Sequence, residues 1–299
     1  MQNSTSTDLA VLALEILPAA VLGLAGERVA KAARACPRSL RYVMPVTLSV
    51  FYVVVAGSHH MFSWAWFALY AGLPPAIAVL LGFAAGADSE QRGRWQDALI
   101  LLMLGLAVDL RWLERAWPAG LAGLGKLLLV DAGLYGFVVI RQLRGTGFDF
   151  HFHWSDWKSG LRELAFFAPI VISFGLTLGF LHPHANPPKL SMPLTWVYIF
   201  VFVAVPEELF FRAWVQNLLE RRLALGLTAD AARNVALILT SVLFGLSHFN
   251  KRSTHFNWPY VFLATIAGIF YGRAWRENRR VPASAITHAT VDTIWSFWF

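Results

Sequence analysis

Long apolar runs separated by short polar breaks recur along the whole chain. Taken as helices, these runs predict ten segments, near residues 8–25, 43–57, 62–86, 96–111, 118–140, 164–181, 193–218, 232–249, 257–274 and 283–298. Most are long enough to cross about 30 Å of hydrocarbon at a rise of about 1.5 Å per residue. The pattern therefore predicts an all-α fold, a polytopic transmembrane helical bundle with about 8–10 membrane helices.

Composition supports this class of protein and excludes others. Of the 299 residues, 57% are hydrophobic and only 14% are charged, which leaves too little polar surface to cover a soluble globule. The formal net charge is +7, but the Lys and Arg residues stand in short clusters between apolar runs. Such clusters orient membrane helices and do not form a nucleic-acid-binding surface. We expect an integral, multi-pass protein with the lipid bilayer as a partner and no nucleic acid.

A proline-rich turn divides the chain into two predicted regions. The stretch from His182 to Leu190 contains three prolines and cannot continue a helix. Residues 1–190 are predicted to form an N-terminal transmembrane accessory region, with an interfacial segment near 148–164 where aromatic and charged residues mix. Residues 191–299 carry the candidate chemistry. The Ala-, Arg- and Trp-rich composition suits a bacterium with a GC-rich genome, and hence a bacterial inner (plasma) membrane.

Two adjacent carboxylates follow an apolar run in the second region. Glu207 and Glu208 come directly after the run from Leu194 to Pro206. An acidic residue at the centre of a membrane helix costs ~2.5–3.5 kcal/mol, so an intramembrane carboxylate usually faces an interior cavity and has a function. Glu208 and Arg212, at i and i+4, can form an ion pair, which leaves Glu207 available as a base. Taken alone, the motif is equally compatible with an interfacial salt-bridge network.

Two further motifs place histidines at or near membrane depth. Phe244 and His248 lie at the end of one apolar run, and His288 and Asp292 lie inside the last one. The i, i+4 spacing of His288 and Asp292 lets both side chains face one cavity. A single histidine is more often structural, but His and Asp together inside a membrane segment indicate a functional site.

The three motifs lie at different predicted depths. Glu207 is expected near the middle of the membrane, His288 near the cytoplasmic side and His248 near the outer side. Pro206 lacks a backbone N–H, so we expect a kink that starts a separately tilted helix and brings the three side chains together.

The motifs EExxxR, FxxxH and HxxxD, in this order over residues 190–298, resemble the CAAX prenyl protease and bacteriocin-processing (CPBP, type II CAAX protease) family of glutamate intramembrane endopeptidases. Their joint order is far more specific than any one motif. The resemblance implies that the site is made of six residues: Glu207, Glu208, Arg212, His248, His288 and Asp292. It also implies that Glu207, assisted by His248, activates the attacking water, while His288 and Asp292 hold the oxyanion.

The last motif position leaves two roles open. Family members carry Asn or Asp there, and this chain carries Asp292. An ionised Asp cannot donate a hydrogen bond to an oxyanion, so Asp292 either stays protonated or orients His288.

The sequence thus predicts an intramembrane endopeptidase that uses a glutamate-activated water, without a cofactor or metal, to cleave a peptide or protein tail presented at the membrane. One alternative is a zinc-dependent membrane protease with Glu207, His248, His288 and Asp292 as ligands, although the chain contains no HExxH motif. Another alternative is a catalytically idle membrane scaffold or an ion- or proton-coupled transporter, although no internal repeat is evident.

Overall fold

The structure, a computed structural model, describes residues 5–184, 190–251 and 255–299. These residues form helices and loops and contain no β-strand, which confirms the all-α prediction. Among the described residues, seven helices are long and apolar enough to cross a membrane, as a polytopic bundle requires. The protein is therefore a multi-pass integral membrane protein. It divides into two compact units, the first ending at Arg144 and the second beginning at Gly145.

The described part of the first unit contains five long helices: α1 (Ser6–Ala35), α2 (Arg38–Ser58), α3 (Trp64–Ala87), α4 (Trp95–Asp109) and α5 (Ala122–Ile140). Helix α5 packs against both α1 and α3. An aromatic cluster forms part of the core, because the rings of Tyr52 and Tyr70 stack at 5.1 Å and Trp117 Nε1 donates to the Tyr70 hydroxyl at 2.7 Å. The hydroxyl is thereby satisfied inside an apolar core.

Five long helices are also found where the structure describes the second unit: α6 (Trp154–Thr177), α7 (Met192–Leu223), α8 (Ala229–Leu246), α9 (Trp258–Asn278) and α10 (Val281–Trp298). Helix α9 packs against α6, α8 and α10. Helices α8 and α9 approach closely at Gly268, where an added Cβ would lie 3.0 Å from the Cα atom of Ser241. Small residues at such crossings let membrane helices pack backbone to backbone.

Each of the ten predicted segments has a helical counterpart, and the bounds differ most at α6. The prediction began this helix at residue 164, whereas it begins at Trp154. The carboxylate of Asp156 accepts a hydrogen bond from the His153 amide at 2.9 Å and so caps the helix start. The segment 148–164 therefore consists of a loop up to His153 and the first turns of α6. The division between the two units lies before α6, whereas the predicted boundary at residue 190 lies after it.

Helix α7 runs through Pro206 as one continuous helix, so the predicted start of a separately tilted helix is wrong. Ala204 and Val205 keep helical backbone angles, with φ/ψ of −66°/−49° and −60°/−49°. Wider π-helical turns at Phe200–Ala204 and Leu209–Gln216 flank the proline. Such turns accommodate a missing N–H donor locally without ending the helix, and they are frequent at functional sites.

Candidate active site

The two adjacent carboxylates of α7 lie in different surroundings. Glu208 is fully buried and accepts a hydrogen bond from Nε of Arg212, also fully buried, at 2.8 Å. The ion pair expected from the i, i+4 spacing is therefore present. The side chain of Glu207 is 27% exposed and lines a cavity of about 220 Å³. The Glu208 carboxylate is thus buried among packed side chains, and the Glu207 carboxylate faces the cavity.

His288 on α10 is oriented by the buried pair. Its Nδ1 atom lies 2.9 Å from the second carboxylate oxygen of Glu208. Because an ionised carboxylate only accepts hydrogen bonds, we assign the donated proton to Nδ1. The Nε2 atom then faces the cavity, 3.9 Å from Glu207 and 3.6 Å from Asp292. Arg212, Glu208 and His288 form a chain that holds one imidazole nitrogen toward the cavity.

His248 lies in the turn that follows α8. Its Nδ1 atom is 2.8 Å from the carbonyl oxygen of Phe244, an acceptor, so Nδ1 is assigned as the donor. Its Nε2 atom is 3.3 Å from Nζ of Lys251, and this ammonium lies 3.6 Å from a carboxylate oxygen of Glu207. Sequence analysis missed Lys251. Its i, i+3 spacing from His248 is the local signal that could have identified it.

An aromatic frame surrounds the histidines. The Phe244 ring lies 4.9 Å from the His248 ring and 5.8 Å from the His288 ring, the latter edge-on at 89°. The Arg212 guanidinium lies 5.4 Å from the same Phe244 ring, within cation–π range. Tyr271 on α9 stacks on His288 at 4.7 Å with an interplanar angle of 17°. No motif in the sequence marks Tyr271. The phenylalanine of the FxxxH motif, Phe244, therefore packs against both histidines and Arg212.

The structure brings all six sequence-predicted residues into one cluster in the second unit. Four line the cavity, namely Glu207, His248, His288 and Asp292, and two lie behind it, namely Glu208 and Arg212. Among the described residues, no group of three or more His, Cys, Asp and Glu side chains has the geometry of a metal site. A carboxylate, two imidazoles and an ammonium group around an apolar-walled cavity can activate water and stabilise an oxyanion.

Fold and cluster together define a multi-pass membrane protein with a cavity lined by acid and histidine side chains. Residues 189–294, which contain all three motifs, match the family model for the type II CAAX prenyl endopeptidase Rce1-like proteins. This match confirms the resemblance of residues 189–294 to the type II CAAX prenyl endopeptidases and supports a membrane protease. No curated protein and no solved structure matches the chain.

Proposed function

We propose that the protein is a glutamate-type intramembrane endopeptidase that cleaves a peptide or protein tail delivered by the membrane. The unequal environment of the two adjacent carboxylates carries this proposal. Glu208 is committed to Arg212 and His288 at 2.8 and 2.9 Å, whereas Glu207 reaches the cavity. Of the two adjacent carboxylates, only Glu207 can approach a water molecule and a peptide bond there, and we assign it as the general base.

The reaction follows from the groups that face the cavity. Glu207 takes a proton from water as the water oxygen bonds to the carbonyl carbon of the peptide. We infer that His288 acts as an imidazolium, with one proton on Nδ1 donated to Glu208 and a second proton on Nε2. Its Nε2–H donates to the oxyanion of the tetrahedral intermediate. Glu207 then returns the proton to the leaving nitrogen as the C–N bond breaks. His248 assists Glu207 through Lys251, whose ammonium lies 3.3 Å from Nε2 of His248 and 3.6 Å from Glu207.

Asp292 completes the oxyanion site in its protonated form. It lies one turn after His288, lines the same cavity and has 31% of its side chain exposed. Glu207 places a negative charge in the same cavity, which disfavours a second one. A protonated carboxyl group donates a hydrogen bond, as Asn does at this position in other family members.

The location of the enzyme is proposed on composition. A chain rich in Ala, Arg and Trp supports a bacterial inner membrane. A membrane-embedded cavity supports substrates that reach the enzyme from the bilayer.

The central test is the variant Glu207→Gln, which keeps shape and hydrogen-bonding capacity but removes the base. Purified protein in lipid nanodiscs would be given quenched fluorescent peptides, one carrying a farnesylated cysteine near its C-terminus and one unmodified. We expect wild type to cleave and Glu207→Gln to lose at least about 10²-fold in rate, as removal of a general base does. Glu90→Gln, an exposed carboxylate in the first unit, should cleave like wild type.

The same assay separates the proposal from its rivals. A chelator should leave the rate unchanged, whereas loss of activity that zinc restores would show a zinc protease. Cleavage by Glu207→Gln at the wild-type rate would remove Glu207 from the mechanism. If wild type cleaves neither peptide, the proposed endopeptidase activity on membrane-delivered tails is wrong.

The role of Asp292 is tested by the pH profile of Asp292→Asn on the peptide that wild type cleaves. A neutral donor predicts that Asn preserves activity and extends it to higher pH, because Asn donates at any pH. A large loss of activity at every pH would show that Asp292 acts as an ionised group that orients His288.

A further inference from the structure

A second cavity lies at one end of three helices of the second unit and is unrelated to the cluster around Glu207. Its lining includes Arg162 on α6, Arg233 near the start of α8 and Arg276 near the end of α9. Arg162 stands just before the apolar stretch of α6 that begins at Leu164. The cavity therefore lies where membrane spans end, at the level of the lipid headgroups.

Arginines dominate this second cavity. Its lining contains five arginines and three carboxylates, with a volume of about 920 Å³. Glu163 is fully buried and lies 2.8 Å from Arg162 and 2.9 Å from Arg273. Arg162 also binds both carboxylate oxygens of Glu277, at 2.9 and 2.8 Å. Arg279 pairs with Glu220. These contacts hold the rim of the cavity in place.

Two further arginines have weaker counter-charges. The guanidinium of Arg276 donates to the side-chain oxygen of Asn234 at 2.8 Å, and this amide is neutral. Arg233 lies 3.7 Å from Asp230, whose side chain is 91% exposed, so water and salt screen that charge. Arg233 is also 3.5 Å from Glu220, which forms an ion pair with Arg279 as well. The lining of the cavity therefore carries more positive than negative charge.

Apolar side chains continue from the cavity along the lipid-facing side of α8. Ile238 is one helical turn beyond Asn234 and 50% exposed, and Leu239 beside it is 45% exposed. Val242, a further turn along, is 41% exposed. A ligand with an anionic headgroup and an apolar tail would place its headgroup in the cavity and its tail along α8.

We propose that this cavity binds a phosphate ester group at the membrane surface, as carried by the headgroup of an anionic phospholipid. Planar guanidinium groups suit phosphate oxygens, since each can donate two parallel hydrogen bonds. Basic pockets between membrane helices bind phospholipid headgroups for this reason. Clusters of Lys and Arg mark the cytoplasmic side of a membrane protein, so the lipid belongs to the cytoplasmic leaflet.

The test is thermal unfolding of the purified protein in a neutral detergent, with dioleoyl phosphatidylglycerol, dioleoyl phosphatidylcholine or inorganic phosphate added. We expect phosphatidylglycerol to raise the Tm and phosphatidylcholine to have no effect. Arg276→Gln should need about tenfold more phosphatidylglycerol for half of the shift, because one charge-assisted hydrogen-bonding group is lost. Arg276 is the suitable position, because its substitution leaves no carboxylate unpaired.

Arg222→Gln is the matched control, since Arg222 is exposed near the end of α7 and does not line the cavity. It removes the same charge and should respond to the lipid like wild type. Arg233→Gln gives a second variant if Arg276→Gln does not fold, and it too should weaken the response.

The three additions distinguish the source of the phosphate. An equal shift with inorganic phosphate, lost in Arg276→Gln, supports a phosphate site that takes the free ion. A shift with phosphatidylglycerol alone supports the lipid headgroup. If neither raises the Tm, or if Arg222→Gln and Arg276→Gln lose the shift equally, the proposed site is wrong.

Discussion

Buried carboxyl groups differ in their partners between the two units. In the first unit, Glu15 and Asp131 are 1% and 2% exposed. Within the described part of the chain, both oxygens of Glu15 and one oxygen of Asp131 have no hydrogen-bond partner. In the second unit, Glu208, Asp156 and Glu163 are all fully buried, and each lies within 2.9 Å of an arginine nitrogen.

The contrast shows how the surroundings decide the state of a buried acid. A carboxyl group without a nearby cation is favoured in its uncharged form, because burying a bare charge is very costly. A carboxylate beside arginine stays charged, and its partner becomes indispensable. The difference does not hold for every acid of the first unit. Arg141 in that unit lies 2.6 Å from Asp88 and 2.9 Å from Asp97, so these two carboxylates are paired. Glu208, the neighbour of Glu207, is of the paired type.

The largest expected effect comes from breaking the pair behind the active site. Arg212→Leu leaves the Glu208 carboxylate buried without its cation and should cost about 3–5 kcal/mol of stability. Denaturation of purified protein and its abundance in the membrane measure this loss. Arg222→Leu, which removes an exposed arginine on the same helix, is the control. Wild-type stability of Arg212→Leu would show that Glu208 does not depend on the pair.

A smaller effect is expected at the start of α6. Arg280 donates to the fully buried Asp156 at 2.7 Å and to Asp149 at 3.0 Å. Arg280→Gln should therefore cost about 1.5–3 kcal/mol, the usual contribution of hydrogen bonds to charged groups. Lys158→Gln, at an exposed position of α6, should leave the unfolding midpoint unchanged. A midpoint shift no larger than that of Lys158→Gln would mean that Asp156 finds another donor.

The same network predicts a dependence of stability on pH. Burial raises the pKa of Asp149, but hydrogen bonds from the His151 amide and ring and from Arg280 outweigh it and leave the pKa at about 2, below the usual 3.8. A carboxylate with a lowered pKa stabilises the fold above its unfolded pKa, and this contribution disappears as the pH falls through the folded value. Stability from Asp149 should thus be lost between about pH 4 and pH 2.

Asp149→Asn isolates this contribution. The side chain is 38% exposed, so the variant should lose less than about 1 kcal/mol at pH 7. The difference from wild type should shrink as unfolding is followed from pH 4 toward pH 2. If the difference in stability stays constant from pH 4 to pH 2, Asp149 stabilises the fold through its shape and not through its charge.

The smallest effect is expected for Glu15→Gln in the first unit. The amide has the same shape as the uncharged acid and removes no ion pair, so stability should change by less than about 1 kcal/mol. Unfolding of Glu15→Gln beside Arg212→Leu tests the contrast between the two units directly. A loss as large as that of Arg212→Leu would show that Glu15 is charged and has a cationic partner.

The sequence determined those features that depend on neighbours along the chain. Apolar runs predicted all ten helices, because a membrane span must bury its own backbone polar groups in helical hydrogen bonds. The pair of Glu208 and Arg212 followed from i, i+4 spacing on one helix. The order of the three motifs indicated the family whose model residues 189–294 match, and it indicated the six residues that the structure brings together.

Tertiary structure decided which side chains meet across long separations in sequence. Asp156 and Arg280 are 124 residues apart, and their contact joins the first turn of α6 to the start of α10. Glu208 and His288 are 80 residues apart, and their contact sets which imidazole nitrogen faces the cavity. Tyr271 joined the site through stacking that no motif records. Periodicity and spacing act over a few turns of helix, whereas the partners of buried charges are chosen only when helices pack.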